Sequence, residues 1–380
     1  MTDPRVVVAS DKFKGTLTSD EVAAAVGTGV RRVRPGAIVA TAPVADGGDG
    51  TVAAAVAAGF ELVPVTVTGP TGRPIHSGFA RRGKVAVVEL ADVSGLIRLP
   101  GGKPAPMTAT TCGTGELVAA AIDSGCPQVI LGIGGSACTD GGAGLVRALG
   151  GRLLDRAGAE PPEGGAALTD AVSLDLTALH ERLAGVEIVV ACDVDNPLTG
   201  PRGAAATYGA QKGADAAQLQ ELDAALVHWA DLVAKEINRD LRYTAGAGAA
   251  GGVGFAALAL LGAELRPGID LMLDLVGFHR RLTGADLVVT GEGALDEQTL
   301  HGKAAAGVAA AAGAAGIPVV AVCGTNRLEP GQLRQAGIAA AYSLTDLEPD
   351  VRRCIADPAP LLRQLGERIA AEQFPIASRA

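Results

Sequence analysis

Aromatic side chains are scarce in this chain, which has one Trp, three Tyr and six Phe among 380 residues. So few rings leave little on which bases could stack, and a formal net charge of -9 repels a phosphate backbone. No nucleic-acid partner is expected. The six cysteines, Cys112, Cys126, Cys138, Cys192, Cys323 and Cys354, include no Cys-x-x-Cys pair, which excludes a zinc knuckle and gives no disulfide framework. They read as buried thiols of a reducing cytoplasm. No secretory leader is expected either, because the first apolar stretch, Val6 to Ala9, is bounded by Asp3 and Asp11 and is too short for one. The expected location is therefore cytoplasmic. Two stretches lack charge, Thr244 to Ala263 and Ala304 to Cys323, but both are mostly Ala and Gly, and Gly316-Ile-Pro318 breaks the second. Such residues give little transfer energy, so no membrane span is expected. Neither a Gly-x4-Gly-Lys-Ser/Thr loop nor the His-Arg-Asp and Asp-Phe-Gly runs of protein kinases occur.

What is present is an alternation of strand and helix. Arg5 to Ala9 is β-branched; Thr18-Ser-Asp-Glu21 has the spacing of a capping box; Val22, Val26, Val30 and Val33 recur at helical intervals. Strands near Ile38 to Ala42 and Glu61 to Thr68, with a helix at Thr51 to Ala58 between them, complete a βαβαβ pattern. After the turn Gly69-Pro-Thr-Gly72 the rhythm changes to a hairpin, His76 to Ala80 and Lys84 to Leu90. A helix near Gly115 to Ser124 and strands at Gln128 to Leu131 and Glu187 to Ala191 follow. Leu219, Leu222, Leu226, Trp229 and Val233 share one face of a long helix, which assigns Trp229 to a core. From Asp286 the opening rhythm returns. The predicted fold is α/β: a three-layer flavodoxin- or Rossmann-like parallel-sheet domain from 1–72 and 283–380, with 73–282 inserted as a second α/β domain and a ligand cleft between them. The segment Asp155 to Thr169 reads as a surface excursion.

Six loops carry residues suited to chemistry. Asp286-Leu-Val-Val-Thr-Gly291-Glu292-Gly293-Ala-Leu-Asp296 reads as a strand running into a glycine-rich acidic loop, followed by a helix that opens near Lys303. Close backbone approach, two carboxylates and an amine are parts of a phosphate and magnesium site. Lys12 and Lys14, beyond the first strand, project the same way in an extended segment; they suit a carboxylate or phosphate, or form a solvated pair. Asp46 and Asp49 flank the glycines of Ala45-Asp-Gly-Gly-Asp-Gly50. Either can ligate magnesium or take a hydroxyl proton, with helix capping the plainer role for Asp49. Gly132-Ile-Gly134-Gly135-Ser136-Ala137 formally matches a dinucleotide fingerprint, with Asp155 near the place of a ribose acid, so an NAD-linked oxidoreductase competes. Asp193, at the end of the strand Glu187 to Ala191, is the preferred base or metal ligand. The glycines of Ala245 to Gly254 serve close packing or nucleotide approach equally well.

Six motifs, Asp11-Lys-Phe-Lys-Gly15, Ala45-Asp-Gly-Gly-Asp-Gly50, Gly113-Thr-Gly-Glu116, Gly132-Ile-Gly-Gly-Ser136, Cys192-Asp-Val-Asp-Asn-Pro197 and Gly291-Glu-Gly-Ala-Leu-Asp296, together resemble the bacterial glycerate kinase family. The resemblance runs in order from near residue 5 to near residue 345. Ser136-Ala-Cys-Thr departs from the Ser-Ala-Thr-Asn frequent in that family. The resemblance implies ATP- and Mg2+-dependent phosphorylation of D-glycerate, usually at the 2-hydroxyl, by a flavodoxin-like domain with an inserted swivelling-type domain. Phosphorylation at the 3-hydroxyl, the NAD-linked oxidoreductase and a non-catalytic nucleotide sensor are the alternatives. In the kinase scheme Asp193, Asp46 and Lys12 are catalytic, and Lys14, Gly134, Gly135, Ser136 and Lys303 bind substrate or phosphate. Asp296, Asp49 and Glu292 face the metal, and the enzyme is a monomer or homodimer.

Overall fold

The computed structural model describes residues 3–13, 15–45, 47–301 and 304–375. The chain divides into two compact units, Met1–Asp46 with Ile269–Ala380, and Gly47–Gly268.

The first unit is built on five parallel strands in the spatial order Ala340–Ser343, Val319–Asn326, Leu287–Leu295, Arg5–Ser10, Ile38–Thr41. Counted along this unit, the order is 2-1-3-4-5, the flavodoxin-like winding, in which ligands gather where strands 1 and 3 part. Those two strands are Arg5–Ser10 and Leu287–Leu295. Val6, Val7, Val8, Val288 and Val289 are all fully buried, as a sheet covered on both faces requires. Helix Ser19–Val33 opens on the expected capping box, in which Thr18 accepts the Glu21 amide and Glu21 returns to the Thr18 amide. It lies against Pro358–Gln373 at glycines: a Cβ on Gly29 would strike the Arg363 carbonyl, and one on Gly366 the Val26 carbonyl. Backbones can approach this closely only without side chains there.

The second unit holds a six-stranded sheet. Glu264–Arg266, Glu187–Ala191, Gln128–Gly132 and Val85–Glu89 run parallel; Pro74–Arg82 and Glu61–Thr68 continue it antiparallel. Trp229 lies fully buried in its core with Leu222, Leu226 and Val233, and its indole N–H donates to the Gly141 carbonyl at 3.1 Å. The strand Glu61–Thr68, expected to finish an opening βαβαβ sheet, belongs here instead, because its whole length pairs with Pro74–Arg82. The division at 46/47 and 268/269 accordingly differs from the expected 72/73 and 282/283. Hydrophobic periodicity reports which residues are buried but not which sheet receives them. The segment read as a surface excursion is partly packed: Leu168 is buried and a Cβ on Gly165 would meet the Thr139 carbonyl.

Among the described residues no helix is long and apolar enough to cross a membrane.

Gly29→Val is expected to destabilise the first unit by about 1–3 kcal/mol, the cost of overpacking a closed interface. Urea unfolding followed by circular dichroism checks it; an unchanged midpoint would show that the two helices can separate without loss.

Candidate functional site

In the first unit, the loops after the two central strands meet. Ser10 stands opposite Gly291, and the Asp11 amide donates to the Gly291 carbonyl at 2.9 Å. Gly291 has to be glycine, since a Cβ would lie 2.9 Å from Ser10 Oγ and closer still to the Val322 carbonyl. Asp11 Oδ1 accepts the Lys12 amide at 2.7 Å, which sets the backbone from which Lys12 extends. The expected acidic loop is not a loop as far as Leu295: Gly291, Glu292, Ala294 and Leu295 stay in register with Val322, Cys323, Thr325 and Asn326. A long partner strand supplies ladder bonds that override the glycines. Glu292 is therefore fixed by the sheet, and its Oε1 accepts the hydroxyl of fully buried Thr299 at 2.6 Å. The same Thr299 oxygen accepts the Asp296 amide at 3.0 Å, tying the two carboxylate residues to one hydroxyl. The Cys323 thiol opposite Glu292 is pushed up to about 12, first by burial and further by Asp346 and Glu292, so it stays protonated. Lys14 and Lys303 lie outside the described residues, as does Asp46.

In the second unit, three loops meet at the carboxyl ends of the parallel strands. A Cβ on Gly132 would lie 2.6 Å from the Gly47 carbonyl, and one on Gly134 2.6 Å from Gly48 Cα; the Gly134 amide donates to the Gly47 carbonyl at 3.4 Å. Gly47 has a positive φ of 83°, and a Cβ there would come within 2.5 Å of the Ala191 side chain. The Asp49 loop, the Gly134 loop and the end of the Asp193 strand thus touch through backbone where no side chain fits. Asp193 Oδ1 accepts the Gly268 amide at 2.8 Å, which orients this carboxylate at the strand end.

Two buried carboxylates support these loops, and neither was singled out from sequence. Glu89, at the end of Val85–Glu89, accepts the amides of Gly50 and Val52 at 2.9 Å each and so holds the start of helix Thr51–Ala57. Burial raises its pKa, and those two amides oppose the shift. Asp140 is fully buried and accepts the Thr111 amide at 2.8 Å, the Thr111 hydroxyl at 2.7 Å, the Gly142 amide at 3.1 Å and the Gly144 amide at 3.3 Å. Burial pushes its pKa up while these donors pull it down. Both residues act on segments distant in sequence, a pattern no local motif displays.

Ser136 is buried and its hydroxyl is engaged within the protein, donating toward the Cys138 and Ala250 carbonyls at 3.3 Å and accepting the Cys138 amide at 3.0 Å. Gly135 adopts a φ of 74°. Helix Ala143–Ala148 begins well beyond these glycines, and Asp155 closes a turn by accepting the Ala157 and Ala159 amides at 2.8 and 2.9 Å. A dinucleotide fingerprint needs its last glycine at the helix entrance and its acid on a ribose, so the oxidoreductase alternative loses its structural context. The later glycines pack: a Cβ on Gly251 would strike the Cys138 carbonyl and one on Gly254 the Gly246 carbonyl.

Among the described residues no three His, Cys, Asp or Glu side chains are grouped as a cation cage. Magnesium in nucleotide enzymes is usually held by one or two carboxylates and by phosphate oxygens. Within the first unit the sheet-fixed Glu292 and the neighbouring Asp296 could take that limited role, and within the second unit the glycine-flanked Asp49 could.

A model of the glycerate kinase family matches residues 6–373. Glycerate kinase of Bacillus subtilis is 44% identical over 370 residues, covering 97% of both chains. Glycerate 2-kinase of Escherichia coli is 43% identical over 344 residues, 90% of each. A crystal structure of a protein described as glycerate kinase 2 from Salmonella typhimurium LT2 superposes with a TM-score of 0.85 at 40% identity, covering 97% of this chain and 98% of that one.

Gly134→Ala is expected to force the Gly134 and Gly48 backbones apart and to lower turnover by about 100-fold, the scale of a 1 Å misplacement. Steady-state kinetics with a parallel thermal melt measures it; unchanged turnover would show that the contact does not position the site.

Proposed function

Because the chain belongs to the glycerate kinase family, we propose that it transfers the γ-phosphoryl group of ATP to the 2-hydroxyl of D-glycerate, yielding 2-phosphoglycerate, ADP and a proton. The observation that carries the reading is the meeting of the Gly47–Gly48, Gly134 and Asp193 loops at one sheet edge, within a chain matched over nearly its whole length. The choice of the 2-hydroxyl follows the name of the Escherichia coli relative.

Phosphoryl transfer asks for alignment and charge neutralisation more than for covalent chemistry. Asp193 accepts the proton of the attacking hydroxyl; Asp46 is the second candidate for that task. Lys12 and Lys14 neutralise the glycerate carboxylate or the moving phosphoryl group, and Lys303 adds positive charge near the triphosphate. The backbone of Gly134, Gly135 and Ser136 borders the phosphates. A left-handed residue such as Gly135 lets successive amides face one concavity, while the Ser136 hydroxyl and the Gly134 amide keep the loop in place. Magnesium, when bound, screens the phosphate charge, and Asp296, Asp49 and Glu292 are the carboxylates that would hold it. The enzyme works in the cytoplasm as a monomer or homodimer.

Phosphorus NMR of the product from ATP and D-glycerate tests the assignment. A 2-phosphoglycerate signal is expected, and 3-phosphoglycerate or unchanged ATP would refute it. Asp193→Asn keeps an oxygen that can accept the Gly268 amide but removes the base, so kcat should fall by about 10²–10⁴-fold with an unaltered melting temperature. Near-normal turnover in that variant would take Asp193 out of the mechanism.

A further inference from the structure

Lys212 is only 2% exposed and is among the largest fully buried side chains of the protein. It ends the short turn Ala210–Lys212, is followed by Gly213 at a φ of 91°, and precedes helix Ala216–Ile237, which the Asp215 side chain caps. Its origin is therefore fixed, and its ammonium donates to the Cys138 carbonyl. That oxygen belongs to the glycine-rich loop and also lies 3.3 Å from the Ser136 hydroxyl, which in turn reaches Ala250. Burying an ammonium is costly, and an apolar side chain of similar volume would fill the same space without that cost. A charge kept here calls for a task that an apolar residue cannot perform. A charge-assisted bond to a carbonyl, roughly twice as strong as a neutral one, is such a task.

We propose that Lys212 is a positioning residue for the phosphate-bordering loop, clamping its far end through the Cys138 carbonyl so that the Gly134–Ser136 backbone is held in its binding geometry. The clamp rests on the kinase reading above. The groups facing the ammonium are the Cys138 thiol and the Asp140 carboxylate, with Glu163 acting on Cys138. Burial drives the thiol well up, so Cys138 is neutral, and Asp140, held by Thr111, Gly142 and Gly144, supplies the negative charge. Burial lowers the Lys212 pKa to about 8, with the Asp140 carboxylate opposing the shift. Lysine in an unfolded chain titrates near about 10.4. Between those values the unfolded state binds the extra proton, so this residue makes the fold more stable as pH rises. The clamp weakens over the same interval. Stability and activity should therefore move in opposite directions above pH 8, which a purely structural lysine would not produce.

The test compares kcat/KM for ATP in the wild type and Lys212→Met from pH 6.5 to 9.5, with thermal melts at each pH. The wild type is expected to lose about tenfold in kcat/KM along a limb centred near pH 8, mostly through KM. Lys212→Met is expected to lack that limb, to start about tenfold lower at pH 7, and to melt no earlier than the wild type. A wild type that makes phosphoglycerate while Lys212→Met shows the same limb and the same kcat/KM overturns the clamp and leaves the kinase reading intact. A wild type that forms no phosphoglycerate at any pH overturns both. If Lys212→Met does not fold, carbon-13 labelling of the lysine ε-carbons in the wild type decides: one signal titrating near 8 with the activity limb supports the clamp, and lysines titrating only above about 10 refute it.

Discussion

The contact on which the second unit's site depends is between backbones. Gly132 and Gly134 press against Gly47 and Gly48 so closely that a single methyl group has no place, and Gly47 meets the end of the Asp193 strand in the same way. Glycine makes this possible because it has no Cβ and tolerates the positive φ that Gly47 adopts. The consequence is geometric: loops that leave three different segments are brought together without any side chain as spacer. Carboxylates on those loops, Asp49 and Asp193, then inherit positions fixed by strands.

Such contacts would slide apart if nothing held the loops from behind, and the holding is done by buried polar groups. Glu89 takes amides across 37 residues of sequence and Asp140 gathers Thr111, Gly142 and Gly144. Each carboxylate costs desolvation, which appears as a raised pKa, and each is offset by donors from backbone whose position then cannot drift. Thr299 performs the corresponding service in the first unit by bridging Glu292 and Asp296. The pattern is the same on both sheets: a rigid edge, a loop that approaches closely, and a buried partner that fixes it.

Much of this was legible in the sequence because it depends on local rules. Thr18 and Glu21 form the capping box their spacing announced, Trp229 is core as its helical stripe required, and the strands Arg5–Ser10, Gln128–Gly132 and Glu187–Ala191 lie where β-branched runs placed them. What was missed is long-range. Glu61–Thr68 has ordinary strand alternation and nothing in it names its partner, so its sheet was misjudged. Gly291 to Leu295 has loop composition but is strand, because Val319–Asn326 continues beside it. Not visible from sequence either was that the Ser136 hydroxyl closes its loop on Cys138 and Ala250. Lys212, one lysine in a polar segment, gave no sign that it would be buried. Lys14, Asp46 and Lys303 lie outside the described residues.

The central claim is that this glycine-on-glycine edge is where the phosphates and the reacting hydroxyl are held. A crystal structure with a non-hydrolysable ATP analogue, magnesium and D-glycerate measures it most directly. The account predicts phosphate oxygens within about 3 Å of backbone amides between Gly134 and Ser136, and the glycerate 2-hydroxyl at hydrogen-bond distance from Asp193. Both ligands lying away from the loops after Gly132 and Ala191, with those loops unmoved, would contradict it.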